Sequence, residues 1–228
     1  LFSGAGQDAD VMTLTLSSVG IFVGVGGSLL DNNGGVASPT DYSDDTVQNG
    51  TLGFGATVGT LTLVSIKDRG LSASLSTDDR SYLGVALDNF AGDLVGLDDL
   101  LAFHAYGVDA VINKSAHADG VTAVAKLNWK TFAGTGLDIS AAQTALNATS
   151  LSDLTASVDL AVDGDVALNV LSGVLVAKGH FSIALGQIRS ASLFSGAGQD
   201  ADVMTLSLSN VGIFVGTGGS LLDNNGGV

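Results

Sequence analysis

Cysteine and glutamate are both missing from this chain, and proline occurs once, at Pro39. The first absence excludes disulfides, thiolate metal sites and cysteine nucleophiles together. The second makes all 23 acidic residues aspartate. Aspartate bonds nearby backbone groups and favours turns and caps over helix interiors, so little helix is expected. Aromatic residues reach only 6%, which leaves Val, Leu, Ile and Ala to build the core. Basic residues are scarce as well: 8 Lys and Arg give a formal net charge of −15. Nucleic acid and anionic membrane surfaces both repel such a chain, and neither is an expected partner. No apolar run is long enough to cross a bilayer as a helix and no signal peptide is recognisable, so direct membrane insertion is not expected.

What the chain does have is apolar residues (46%), glycine (32 of 228) and a repeat. Leu1 to Val36 recurs as Leu193 to Val228, with changes only at Thr15/Ser207, Ser18/Asn210 and Val25/Thr217. A match of that length defines a tandem repeat. Residues 1–192 are one full unit, and 193–228 begin the next, equivalent to 1–36. The expectation is a window on a much longer array, in which neighbouring repeats of the same chain are the first partners.

Local patterns argue for strands. Met12, Leu14 and Leu16 alternate with Thr13, Thr15 and Ser17, the period of a half-buried strand. After Ser17-Ser18 the phase slips to Val19, Ile21, Val23 and Val25, which would turn the apolar face over unless a bulge or corner absorbs it. Asp31-Asn32-Asn33-Gly34-Gly35 is a turn, and Val36 to Gly50 reads as a polar excursion loop. Further strands are expected at Gly59 to Ile66, Leu71 to Leu75, Ser81 to Leu87, Leu101 to Ser115 and Val121 to Trp129. Leu101 to Ser115 repeats the slip of the opening stretch, which points to a degenerate sub-repeat. Gly136 to Thr149 is the one helix candidate, with Asp138 or Ser140 as N-cap. Ala156 to Val170 alternates without a slip past Gly164, and Ser172-Gly173 and Lys178-Gly179 punctuate two later runs.

Catalytic signatures are lacking. His104, His117 and His180 show no metal-ligand spacing, no GxSxG elbow is present, and the GVGG and GAG segments are turns rather than phosphate loops. No enzyme is expected. Asp78-Asp79 and Asp98-Asp99 read as solvated turns, and the Asn-x-Ser/Thr triplets at Asn49, Asn113 and Asn147 read as chance. The acidic excess either keeps a long assembly soluble or draws Ca²⁺, which takes clustered carboxylate and carbonyl oxygens. Candidate Ca²⁺ ligands are Asp8 and Asp10, their copies Asp200 and Asp202, Asp31, and the trio Asp159, Asp163 and Asp165. No other cofactor is indicated.

Several motifs taken together are DDRSYLGVAL (Asp78 to Leu87), Leu94-Val95-Gly96 with LLAFHAYGVDAVIN, Leu127 to Trp129, and DGDVALNVLSGVLVAKGHFSI. With them the chain resembles the repeat units of very long bacterial β-rich tandem-repeat proteins of the cell surface or matrix. That resemblance implies an extracellular or cell-surface location and a structural or adhesive role, and it carries no catalytic residues. The expected fold is all-β: an elongated, solenoid-like rod or continuous sheet in which each repeat covers its neighbour's open edges. At about 4.8 Å per strand layer and roughly 20–25 residues per coil, a solenoid would advance on the order of 40 Å per period. A contiguous array of antiparallel sandwiches is the alternative. Two functions follow: a structural filament or stalk, associating laterally with itself, or an adhesin whose polar loops bind glycans or another cell.

Overall fold

The computed structural model describes residues 9–32, 42–69, 78–189 and 200–221. Seven long strands make one open antiparallel sheet: β1 (Ala9–Val25), β4 (Leu52–Asp68), β5 (Arg80–Val95), β6 (Leu101–His117), β7 (Val158–Val170), β8 (Leu175–Arg189) and β9 (Asp200–Val215), in that spatial order. Two short strands, β2 (Ser28–Leu30) and β3 (Thr46–Gln48), pair beside it. The fold is therefore all-β, as composition and alternation imply, but it is not a solenoid. Sharp reversals supply the reason. Gly96 closes β5 into β6 at φ 80°, and Leu171, Ser172 and Gly173 turn β7 into β8 at φ 50–92°. Strands joined by so short a turn can only pair antiparallel, whereas coils need longer crossovers.

The phase slip has a local cause. Ser18, Asn89, Gly107 and Asn210 all take φ between 51° and 56° at mid-strand, and glycines (Gly59, Gly164, Gly179) stand beside them on the intervening strands. In β9 two residues, Asn210 and Val211, oppose the single Gly179, which is a bulge. Its effect is to keep Val211, Ile213 and Val215 on the same face as Met204, Leu206 and Leu208. Ser18 keeps the faces aligned in β1 through its φ of 54° alone, facing Gly59 one to one with no extra residue. One face of the sheet is thus apolar on both sides of the bulge row, from the level of Leu14 to that of Val23, and the slip in sequence is what preserves it. Gly107 takes the same conformation at a register shift in β6.

The other face carries polar residues and is covered by the chain's own excursions. Residues 118–157, with helix α1 (Ser140–Leu146) and a 3-10 turn (Thr149–Leu151), pack on β1, β4, β5 and β6, the helix lying over β1 and β4. Leu127, Trp129, Leu146, Leu151 and Leu154 bury Val64, Ile66, Tyr82 and Ala86, each Leu, Val or Ile side chain contributing roughly 1.5–3 kcal/mol. Gly84 is required here, because a Cβ would stand 2.7 Å from the Trp129 ring. Asn113, fully buried, ties the layer down. Its amide donates to the carbonyls of Leu127 (2.8 Å) and Thr155 (3.0 Å) and accepts from Trp129 Nε1 (3.1 Å).

Several local expectations are corrected. Val121 to Trp129 is not a strand. Its carbonyls are taken by β6 side chains, Ser115 Oγ on Val124 and Asn113 on Leu127, so no neighbouring strand is recruited. β8 runs unbroken through Lys178-Gly179. The helix is shorter than Gly136 to Thr149, and Ile139, not Asp138 or Ser140, precedes it, with no side-chain cap. Asp79 is buried and paired with Lys67 at 2.9 Å rather than solvated. The expected strand Leu71 to Leu75 lies outside the described residues, as do 33–41 of the expected loop; its described end holds β3.

Candidate functional site

Carboxylates and imidazoles gather on the polar face beside the bulge row. Asp109 Oδ1 accepts the N–H of the bulge residue Asn89 at 2.7 Å. Asp109 pairs across the sheet with Asp163, and Asp163 with Ser182. His180 stands between Asp163 (3.2 Å) and Asp165 (3.4 Å), and His104 Nδ1 is 2.6 Å from Asp93 Oδ1. Among the described residues neither imidazole bonds a hydroxyl, so the two His–Asp pairs have no nucleophile attached. Burial, reinforced by Asp109 and Asp153, holds the Asp88 carboxyl above its usual range. A raised folded-state pKa favours the protonated form, so this carboxylate's cost is absent below the unfolded value near 4 and grows as pH rises through the folded value. Asp88→Asn is expected to raise the thermal midpoint at pH 7 by a few degrees and to leave it unchanged at pH 3, measured by calorimetry at both.

The aspartates named as Ca²⁺ candidates scatter over the sheet. Asp159 is bound by Lys126 at 2.6 Å, and Asp163 and Asp165 share His180. Asp31 is exposed just past β2. Asp8 lies outside the described residues, and Asp200 opens β9. Among the described residues no three His or Asp side chains converge as metal ligands would. Asp119 serves the backbone instead: the hydroxyl and N–H of Thr122 and the N–H of Val121 donate to it, which holds its carboxyl well below the usual range.

Asp10 and Asp202 are the informative pair, because they are one residue of the repeat seen in two settings. Asp10 receives Arg69 Nε at 3.0 Å from the chain just past β4; Asp202 receives Gln187 Nε2 at 3.2 Å from β8. The partners come from opposite sides of the strand. The backbone agrees. Val25 carbonyl, in β1, accepts from Thr51 on the β4 side. Gly216, the copy of Gly24, donates to Val174 on the β8 side. Neighbouring residues of a strand aim their hydrogen bonds at opposite edges. The side used by β1 is the side left open by β9, and the reverse.

No protein-family model, curated protein or solved structure matches the chain. The site therefore rests on its own geometry. Among the described residues the sheet's two open edges are two copies of one strand, and each lacks the neighbour that the other has. Sequence reasoning named Asp10 and Asp202 but assigned them to Ca²⁺. It passed over Gln187 and Arg69, which nothing but strand register brings to them.

Proposed function

We propose that this chain is a structural repeat of a long filament or stalk, built as one continuous antiparallel sheet. The observation that carries it is the pairing of β9, the first strand of the second copy, directly onto β8 of the first. In that reading β9 takes the next copy's β4 on its open edge, and β1 takes the preceding copy's β8. Register supports it. One row runs Leu14, Leu63, Val85, Ile112, Leu160, Leu185, Met204 across all seven strands. Met204 is the copy of Met12, so successive repeats are staggered by two residues, about 7 Å. An even stagger keeps every side chain on its original face; an odd one would have reversed the apolar face at each joint.

Six strands per repeat at about 4.8 Å put the axial advance near 29 Å, against the roughly 40 Å of a solenoid. Electron microscopy of a three-repeat array tests this: a ribbon lengthening by about 29 Å per copy is expected, and separate beads would defeat the reading. Asp10, Asp159, Asp163 and Asp165 each engage a cationic or imidazole side chain. The resemblance to giant bacterial repeat proteins supports placement at the cell surface or in the matrix. Adhesion is the second reading. A hollow of about 290 Å³ lies between residues 47–49 and the sheet, lined by Gln48, Asn49, Thr57 and Asp93, groups that suit a sugar's hydroxyls.

A further inference from the structure

The apolar face of the sheet is without a cover among the described residues. Residues 42–50 and 118–157 pack on the opposite face: a Cβ on Gly20 or Gly55 would meet Val47 or Asn49, and one on Gly84 would meet Trp129. The apolar side chains of the outer strands stand open to solvent, with Leu14 43%, Met204 72% and Leu206 60% exposed. From the level of Leu14 to that of Val23 this face holds only apolar residues and glycine. It spans about 29 Å across the strands and roughly 30 Å along them, close to 900 Å² in projection. Patches of that size on soluble proteins mark contact surfaces.

We propose that this face is covered by the same face of a second copy, so that the working unit is two sheets packed front to front. Area is the first argument. Two such faces bury on the order of 1,800 Å², the size of a stable interface. Twist is the second. Adjacent strands rotate by about 20–25°, so six strands turn the face through roughly 120–150°. A flat bilayer cannot follow a face that turns so far, whereas a second sheet with the same twist stays aligned with it along its length, about 10 Å away. Aromatic placement is the third. Membrane-facing strands carry Trp and Tyr at the water boundary. Here Trp129 and Tyr82 are buried under the other face, and Tyr106 pairs with Asp165 there.

The test uses the 228-residue chain itself. Sedimentation equilibrium is expected to give a dimer, and the double variant Leu14→Asp, Leu206→Asp a species of half that mass with unchanged far-UV circular dichroism. Both positions are exposed, so the variant does not challenge the fold. Because cysteine is absent, single labels are clean. A spin label at Ala110→Cys, on the apolar face of the central strand, should report an intermolecular distance on the order of 10–20 Å. One at Ala102→Cys, on the same strand's other face, should not. Joining through the strand edges would instead leave the assembly's size intact in the double variant and give no short Ala110 distance. That outcome overturns this proposal and spares the filament. A wild-type monomer overturns it too, and one that floats with phosphatidylcholine vesicles would assign the face to lipid.

Discussion

Asn113→Ala is expected to cost the fold about 3–5 kcal/mol. The side chain is 0% exposed and makes three hydrogen bonds, two to backbone carbonyls of the covering segment and one from the Trp129 indole. Truncation leaves a buried N–H and two buried carbonyls unpaired, at roughly 1–3 kcal/mol each before any relaxation. Residues 118–157 have little regular structure to hold them, so these bonds do what a sheet ladder does elsewhere. Chemical denaturation of the variant should show a lower midpoint. Trp129→Phe, which removes only the indole donor and some volume, should cost less, about 1–2 kcal/mol. If Asn113→Ala unfolds at the wild-type midpoint, the covering layer is held by apolar packing alone.

The second large effect is expected at the joint between copies. Gly173 sits at φ 92°, and a Cβ there would lie 2.0 Å from the carbonyl oxygen of Gly219, the copy of Gly27. Gly219 N–H donates to the Gly173 carbonyl at 3.1 Å, closing the end of the β8–β9 ladder. Gly173→Ala meets both an unfavourable φ, about 1–2 kcal/mol, and a backbone clash, for a loss on the order of 2–3 kcal/mol. The loss should be local. Hydrogen exchange of β9 amides is expected to accelerate by tens of fold, while amides of β4 and β5 under the Trp129 layer keep their protection. Uniform acceleration across the sheet would mean that the joint is not a separate unit.

Much of the sheet was legible because its alternation is nearly unbroken. β1, β6 and β7 lie where the period-two pattern puts them, and the absence of a slip at Gly164 matches a strand that passes the bulge row undisturbed. The slip at Ser18 was legible as a problem, and Ser18 at φ 54° is its solution. What the pattern could not give was direction and partner. Parallel coils and an antiparallel meander share the same alternation, and only the turn geometry at Gly96 and Gly173 separates them. The covering segment was misjudged for a related reason. Val121, Ala123, Ala125, Leu127 and Trp129 have strand-like spacing, yet the segment is held by Ser115 and by Asn113, whose triplet read as chance. For the candidate site, carboxylate spacing along the chain exposed the aspartates but not their partners. Arg69 and Gln187 reach one repeat position from its two sides, Arg69 at Asp10 and Gln187 at the copy Asp202.

The row of left-handed residues has a consequence for assembly errors. Near-identical repeats invite mispairing, since any copy's edge resembles any other's, and a plain alternating strand could slide two residues and still bury its apolar side. A strand with one fixed irregularity cannot. Slide β9 by two along β8, and Asn210 leaves Gly179 to face Ala177 or Phe181, whose side chains occupy the space the extra residue needs. The bulge thus works as a notch cut at the same height in every copy. Two edges seat at a single position or not at all, and the filament proposed above would carry its own gauge.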